Sequence, residues 1–84
     1  MTTYEIHSLT KAKALEIAAD YAARAAKELE TYPKLVAMFG AEDESSRIVY
    51  SLMIRYLENQ RHYEWLARLH PSTRAAVLRR AANT

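Results

Sequence analysis

The longest uninterrupted helical pattern in the chain runs from Glu44 to Leu69, and at about 100° per residue it sorts its apolar side chains into two stripes. The first holds Ile48, Val49, Leu52, Met53, Tyr56, Tyr63, Leu66 and Ala67, and reads as an ordinary core face. The second is a ridge of Tyr50, Ile54, Leu57, Arg61, Trp65 and Arg68, spaced by fours and threes along the opposite side. A narrow polar seam of Arg47, Ser51, Arg55, Glu58 and His62 lies between them. Two apolar faces require two partners, and the rest of the chain must supply at least one.

An earlier amphipathic pattern is expected to begin at Ser8 or Thr10, either of which can cap free N–H groups, and to run to about Glu30 or Thr31. Its stripe is Leu15, Ala18, Ala22, Ala25 and Leu29, widened by Ala12, Ala19 and Ala26, with Lys13, Glu16, Asp20, Arg24 and Lys27 on the other side. Alanine buries little area, so this helix offers a smooth groove and the long helix supplies the bulk. Tyr32-Pro33 is expected to break the helix, because the residue before proline avoids the α region. Pro33 to Phe39 then reads as a short helix, with Leu35, Val36, Met38 and Phe39 plugging one end of the bundle and Gly40 in a left-handed cap. Glu42, Asp43 and Glu44 favour the start of the long helix through its dipole. Pro71 stops that helix or begins the last one, Ser72 to about Ala82, which carries Arg79 and Arg80 in its final turn. At the other end, Tyr4 and Ile6 alternate with polar residues over Thr2 to His7, which suggests a short extended arm.

The fold expected is therefore all-α: a single domain over residues 1–84, with two long antiparallel helices, two short ones and an extended N-terminal arm. Composition agrees, since one glycine and two prolines leave little turn material for an antiparallel sheet. At 84 residues a single core is only marginally sufficient, which makes oligomerisation a natural supplement.

Chemistry-bearing patterns are few. No cysteine is present, which excludes disulfides and thiolate metal sites, and one glycine cannot build a phosphate-cradling loop. The serines lack an evident His and carboxylate pairing, so an enzyme is not expected, nor is a cofactor or a small-molecule substrate. Glu58 and His62 are four apart on one helical face, but two ligands do not make a metal site and no third is nominated. His70 is expected near the end of the long helix, where its positive form is favoured. The opening MTTYEIHS has no basic stretch followed by an apolar run, and no segment is apolar for about 18 residues, so a cytoplasmic protein without membrane contact is expected.

Charge is close to balanced, at +2, but unevenly placed. Residues 1–60 hold seven Lys or Arg against nine Asp or Glu, while residues 61–84 hold five Arg against Glu64 alone. A helix-turn-helix alignment of Pro33–Phe39, Gly40 and the long helix would push Glu42, Asp43 and Glu44 into the major groove, which opposes DNA binding. The alternative nucleic-acid reading uses Arg74, Arg79 and Arg80, joined by Arg61 and Arg68, with Trp65 and Tyr50 for stacking, on a phosphate backbone.

The favoured reading assigns the ridge Tyr50, Ile54, Leu57, Arg61, Trp65 and Arg68 to protein–protein contact, because aromatics and arginine dominate interface hot spots. The competing one has the last helix, or Tyr4 and Ile6, fold over that ridge as plain core. The expected function is an interaction module that binds and occludes a macromolecular partner or pairs with itself as a homodimer. An inhibitor carried by a phage or other mobile element, acting for example on a CRISPR-type nucleoprotein complex, is one instance of it.

Overall fold

The computed structural model describes residues 9–83, which form three helices and no strand. Helix α1 spans Lys11–Phe39, α2 spans Glu44–Arg68 and α3 spans Pro71–Ala82. The all-α class thus holds, whereas the arm expected over Thr2 to His7, with Tyr4 and Ile6, lies outside the described residues.

The helix ends are set by local chemistry that the sequence advertises. Thr10 caps α1, its hydroxyl oxygen accepting from the Lys13 N–H at 3.1 Å. Asp43 caps α2, its carboxylate accepting from the Ser45 N–H at 3.0 Å, with Glu44 adding favourable charge in the first turn. Pro71 is the first residue of α3, so the last helix begins there rather than at Ser72. His70 is its N-cap: the Ser72 N–H lies 3.2 Å from the His70 Nδ1. His70 therefore lies just past Leu69, the C-cap of α2, as expected, and its ring also caps the start of α3.

One expected break is absent. Helix α1 continues through Pro33 to Phe39, so the two helices expected over residues 8–39 are one of 29 residues. Proline removes the donor for the Leu29 carbonyl and strains the preceding turn. The continuation is carried by tertiary packing: the Tyr32 ring packs at a tilt against Tyr50, with 5.6 Å between ring centroids, and Tyr32, Leu35 and Val36 are all half-buried. These positions follow in helical phase from Ala14, Ala18, Tyr21, Ala25 and Glu28, so ending the helix at Thr31 would forfeit their contacts. Met38 and Phe39 do not plug the bundle as expected; both are largely exposed at the turn.

That turn depends on Gly40, whose φ of 90° and ψ of 158° lie in a region essentially restricted to glycine, not in the left-handed helical cap the sequence suggests. The Gly40 N–H donates to the Val36 carbonyl at 2.8 Å, and the Gly40 carbonyl accepts from the buried Ser46 hydroxyl, also at 2.8 Å. The end of α1 is thereby fastened to the first turn of α2.

Beyond the turn, α1 and α2 run antiparallel. Tyr32 meets Tyr50 near the turn, and Tyr21 meets Tyr56 and Tyr63 further down. The buried line on α1 is Ala14, Ala18 and Ala25, small residues that allow close approach. It is turned slightly from the expected stripe, which leaves Leu15 and Leu29 largely exposed on one flank. On α2, Leu66 and Ala67 are buried, most of the expected core face is half-buried, and Ile48 is exposed. Helix α3 folds back at the open end of the hairpin, where Leu66 and Leu78 form a small buried cluster with Leu9, Tyr63, Leu69 and Val77 around it.

Arg74 ties this corner together. It is only 5% exposed, and its guanidinium donates from Nε to the Leu66 carbonyl at 2.9 Å, from Nη2 to the Leu69 carbonyl at 3.1 Å, and from Nη1 to the Leu9 carbonyl at 3.3 Å. Leu66 and Leu69 lie at the C-terminal end of α2, where the helix dipole and free carbonyls favour a cation. The buried charge is compensated by carbonyl dipoles in place of a carboxylate. No helix among the described residues is long and apolar enough to cross a membrane.

Candidate interaction surface

The two flanks of the α1/α2 hairpin are built from the same amphipathic pattern and have different surroundings. On one flank, Tyr21, Tyr56 and Tyr63 cluster, the Arg24 guanidinium sits 5.7 Å from the Tyr21 ring centroid, and α3 packs against Tyr63 and Leu66. Burial pushes the Tyr63 hydroxyl above the usual tyrosine range, and the neighbouring Tyr21 adds to the shift.

The other flank is open. Ala22, Ala25, Ala26 and Leu29 of α1 and Met53 and Leu57 of α2 line a groove of about 350 Å³ with almost no polar surface. Towards the free end of the hairpin, the same side continues as a hollow of about 410 Å³ bounded by Leu15, Ala18, Ala19, Gln60, Glu64 and Arg68. Gln60 donates to Glu64 at 2.8 Å, which fixes a polar border there. Towards the turn, Tyr32, Ala41, Arg47, Tyr50 and Ser51 line a third hollow.

The ridge residues fall along this flank and its outer edge. Tyr50 packs on Tyr32 and is 48% exposed, Leu57 lines the groove and is 37% exposed, and Trp65 is 41% exposed with the His62 ring 5.9 Å from its own. Ile54 is half-buried, while Arg61 and Arg68 are exposed. Helix α3 packs on Leu66, Tyr63 and Leu69 instead, so it does not bury this ridge. The structure adds Leu15, Leu29 and Met53 to the surface; the sequence reading placed all three in the core. Residues 15, 19, 22, 26 and 29 repeat at helical spacing one position out of phase with the buried line, so a small rotation of α1 moves Leu15 and Leu29 from the expected core to the open flank.

The basic residues divide. Arg79 and Arg80 lie exposed in the last turn of α3. Arg74 departs from its expected place on a binding surface, since its guanidinium is buried and engaged by three carbonyls. A hollow of about 910 Å³ between the starts of α1 and α3 is bordered by Lys11, Arg68 and His70 and, among the described residues, by no carboxylate. His62 contacts the rings of Tyr63 and Trp65, and among the described residues no three His, Asp or Glu gather in a metal-binding arrangement.

Compared with protein-family models, with curated proteins and with solved structures, the chain finds no match, so the functional reading rests on this surface alone.

Proposed function

We propose that the chain is a helical protein–protein interaction module that acts by covering part of a macromolecular partner with the open flank of its α1/α2 hairpin. The observation that carries this reading is the contiguous groove of Ala22, Ala25, Ala26, Leu29, Met53 and Leu57, with Tyr50 and Trp65 exposed beside it. A contiguous apolar surface of this kind is the usual mark of an interface, and a helix of a partner lies naturally in a groove between two helices. Arg61 and Arg68 at its edge supply the polar rim and directional contacts that make such a surface selective. Occlusion of a partner needs no bond-making chemistry, only affinity.

The test is a photo-activated cross-linker placed at Trp65 or Leu29 in the living cell, with Glu16, exposed on the outer side of α1, as the control position. Specific protein adducts from Trp65 and Leu29 but not from Glu16, lost when Leu57→Glu is added, are the expected result. Equal labelling from all three positions overturns the reading.

One observation favours a second reading, contact with a phosphate backbone. It is the hollow bordered by Lys11, Arg68 and His70, with no carboxylate among the described residues that line it. On that reading Arg68→Glu weakens oligonucleotide binding more than Arg79→Glu with Arg80→Glu, and affinity falls steeply with salt. Absence of oligonucleotide binding in low salt removes it.

A further inference from the structure

We infer that the groove is occupied by a second copy of the same chain, laid antiparallel so that two hairpins close into a four-helix bundle. This rests on the proposed reading of the groove as an interface and names its partner. The first support is what the single chain leaves unburied. Among the described residues, Leu66 and Leu78 are the only buried apolar side chains larger than alanine. The Cα radius of gyration is 16.1 Å, whereas a compact domain of this length has about 12 Å. Leu15, Leu29 and Leu57, which would complete a core, all sit on the one open flank.

Charge identifies the partner. Along its length the hairpin is electrically polar, with Glu30, Glu42, Asp43 and Glu44 against Lys34 and Arg47 near the turn, and Lys11, Lys13, Arg61 and Arg68 against Glu16, Asp20 and Glu64 towards the free end. The one ion pair among the described residues is Lys13–Glu16, so the acidic turn and the two α2 arginines have no salt-bridge partner among them. A partner suited to this face must be basic at one end and acidic at the other, in reverse order. A two-fold axis perpendicular to the helices supplies that partner, setting the acidic turn of each copy beside Lys11 and Arg68 at the free end of the other. A parallel pairing would oppose like charges.

Geometry agrees with both. Leu57 stands next to the midpoint of α2, so a two-fold axis there brings Leu57 against its own counterpart, while Ala22, Ala25 and Ala26 leave room for close approach. A 25-residue α2 is about 37 Å long at 1.5 Å per residue. With two helices side by side, a face of about 20 Å by 37 Å gives roughly 700 Å² per copy, near the ~800 Å² per partner of a standard stable interface.

The experiment is sedimentation equilibrium of the full chain over a wide concentration range. The expected mass is twice the 9.6 kDa of one chain. Leu57→Glu is expected to raise the dimer dissociation constant about 30-fold or more, the scale of a central hot spot, with helicity by circular dichroism retained. Lys11→Glu with Arg68→Glu is expected to weaken pairing, and mixing that variant with Glu42→Lys, Glu44→Lys is expected to restore it as a heterodimer. Because the chain has no cysteine, Leu57→Cys gives a second readout: mild oxidation yields a disulfide-linked dimer, and Glu16→Cys does not.

A monomer at all concentrations overturns the inference, as does a dimer insensitive to Leu57→Glu. A full chain that stays monomeric while a chain lacking residues 1–8 pairs also overturns it, because the occupant is then the chain's own first segment. If a monomer still cross-links another protein through Trp65 or Leu29 in the cell, the second copy is refuted and the interface reading stands. If those positions cross-link nothing, both fail.

Discussion

The two flanks of α2 carry comparable apolar side chains, yet one is a finished corner and the other an open groove. On the finished side, Leu66, Tyr63 and Leu69 receive α3, and Arg74 pins that helix to the Leu66 and Leu69 carbonyls and to Leu9. On the open side, Leu57, Tyr50 and Trp65 have only the shallow alanine flank of α1 beside them. Hydrophobicity alone does not decide which flank is covered. The decision lies in directional contacts: α3 has a guanidinium that meets three carbonyls at one corner, and the ridge offers no equivalent anchor for it. Apolar area sets how much burial is available, and hydrogen bonds choose where it happens.

The comparison is broken first by Leu66→Ala. Leu66 is fully buried, so its truncation is expected to cost about 2–5 kcal/mol, read as a shift of the urea midpoint. A change below about 1 kcal/mol would mean that the corner is no better packed than the groove.

Arg74→Leu separates packing from anchoring. The substitution keeps apolar bulk but removes the guanidinium donor to the Leu66, Leu69 and Leu9 carbonyls, of which the Leu66 carbonyl keeps only the Leu69 N–H, an expected loss of about 1–3 kcal/mol. Hydrogen exchange is expected to accelerate over residues 71–82 more than over α1 or α2. Uniform acceleration would show that Arg74 serves the whole fold and not the choice of flank.

Gly40→Ala acts on the turn that both flanks hang from. A Cβ there meets nothing within 4 Å, so the cost is that of the backbone conformation alone, about 1–3 kcal/mol. Both flanks are expected to lose protection equally, which makes this variant the control for a general loss of stability.

A titration sharpens the covered flank. Tyr63 is half-buried against Tyr21, and its hydroxyl holds its proton more tightly in the folded chain than in the unfolded one. Its contribution to stability is therefore complete below the unfolded tyrosine value of about 10 and is lost as pH rises past it. Urea midpoints at successive pH values are expected to fall less steeply in Tyr63→Phe than in the parent chain. Identical slopes would place Tyr63 in effective contact with solvent.

The sequence disclosed most where the physics is local. The cap at Thr10, the acidic run at the head of α2, the proline at the head of α3 and the glycine at the turn act within a few residues, and four of the six helix ends follow from them. Pro33 misled for a related reason: its local signal is real, but Tyr32 on Tyr50, with Leu35 and Val36, outweighs it from across the hairpin. The ridge from Tyr50 to Arg68 was legible as a second stripe. Leu15 and Leu29 were not, because a one-residue shift in phase along α1 separates buried from exposed. Arg74 could not be read at all, since one of its acceptors, Leu9, lies 65 positions away in the chain.

The smallest effect expected is also the most discriminating. Leu29 is 60% exposed in the single chain, so Leu29→Gln should change the stability of the monomer by less than about 0.5 kcal/mol, as exposed substitutions do. If the open flank is covered by a second copy, the same substitution must matter once copies pair, because association stabilises the folded form by mass action. The parent midpoint is then expected to rise with protein concentration and that of Leu29→Gln to rise less, the two converging on dilution. A constant gap between them at every concentration would mean that Leu29 is already buried within one chain. Coincident curves would mean that it is buried in none.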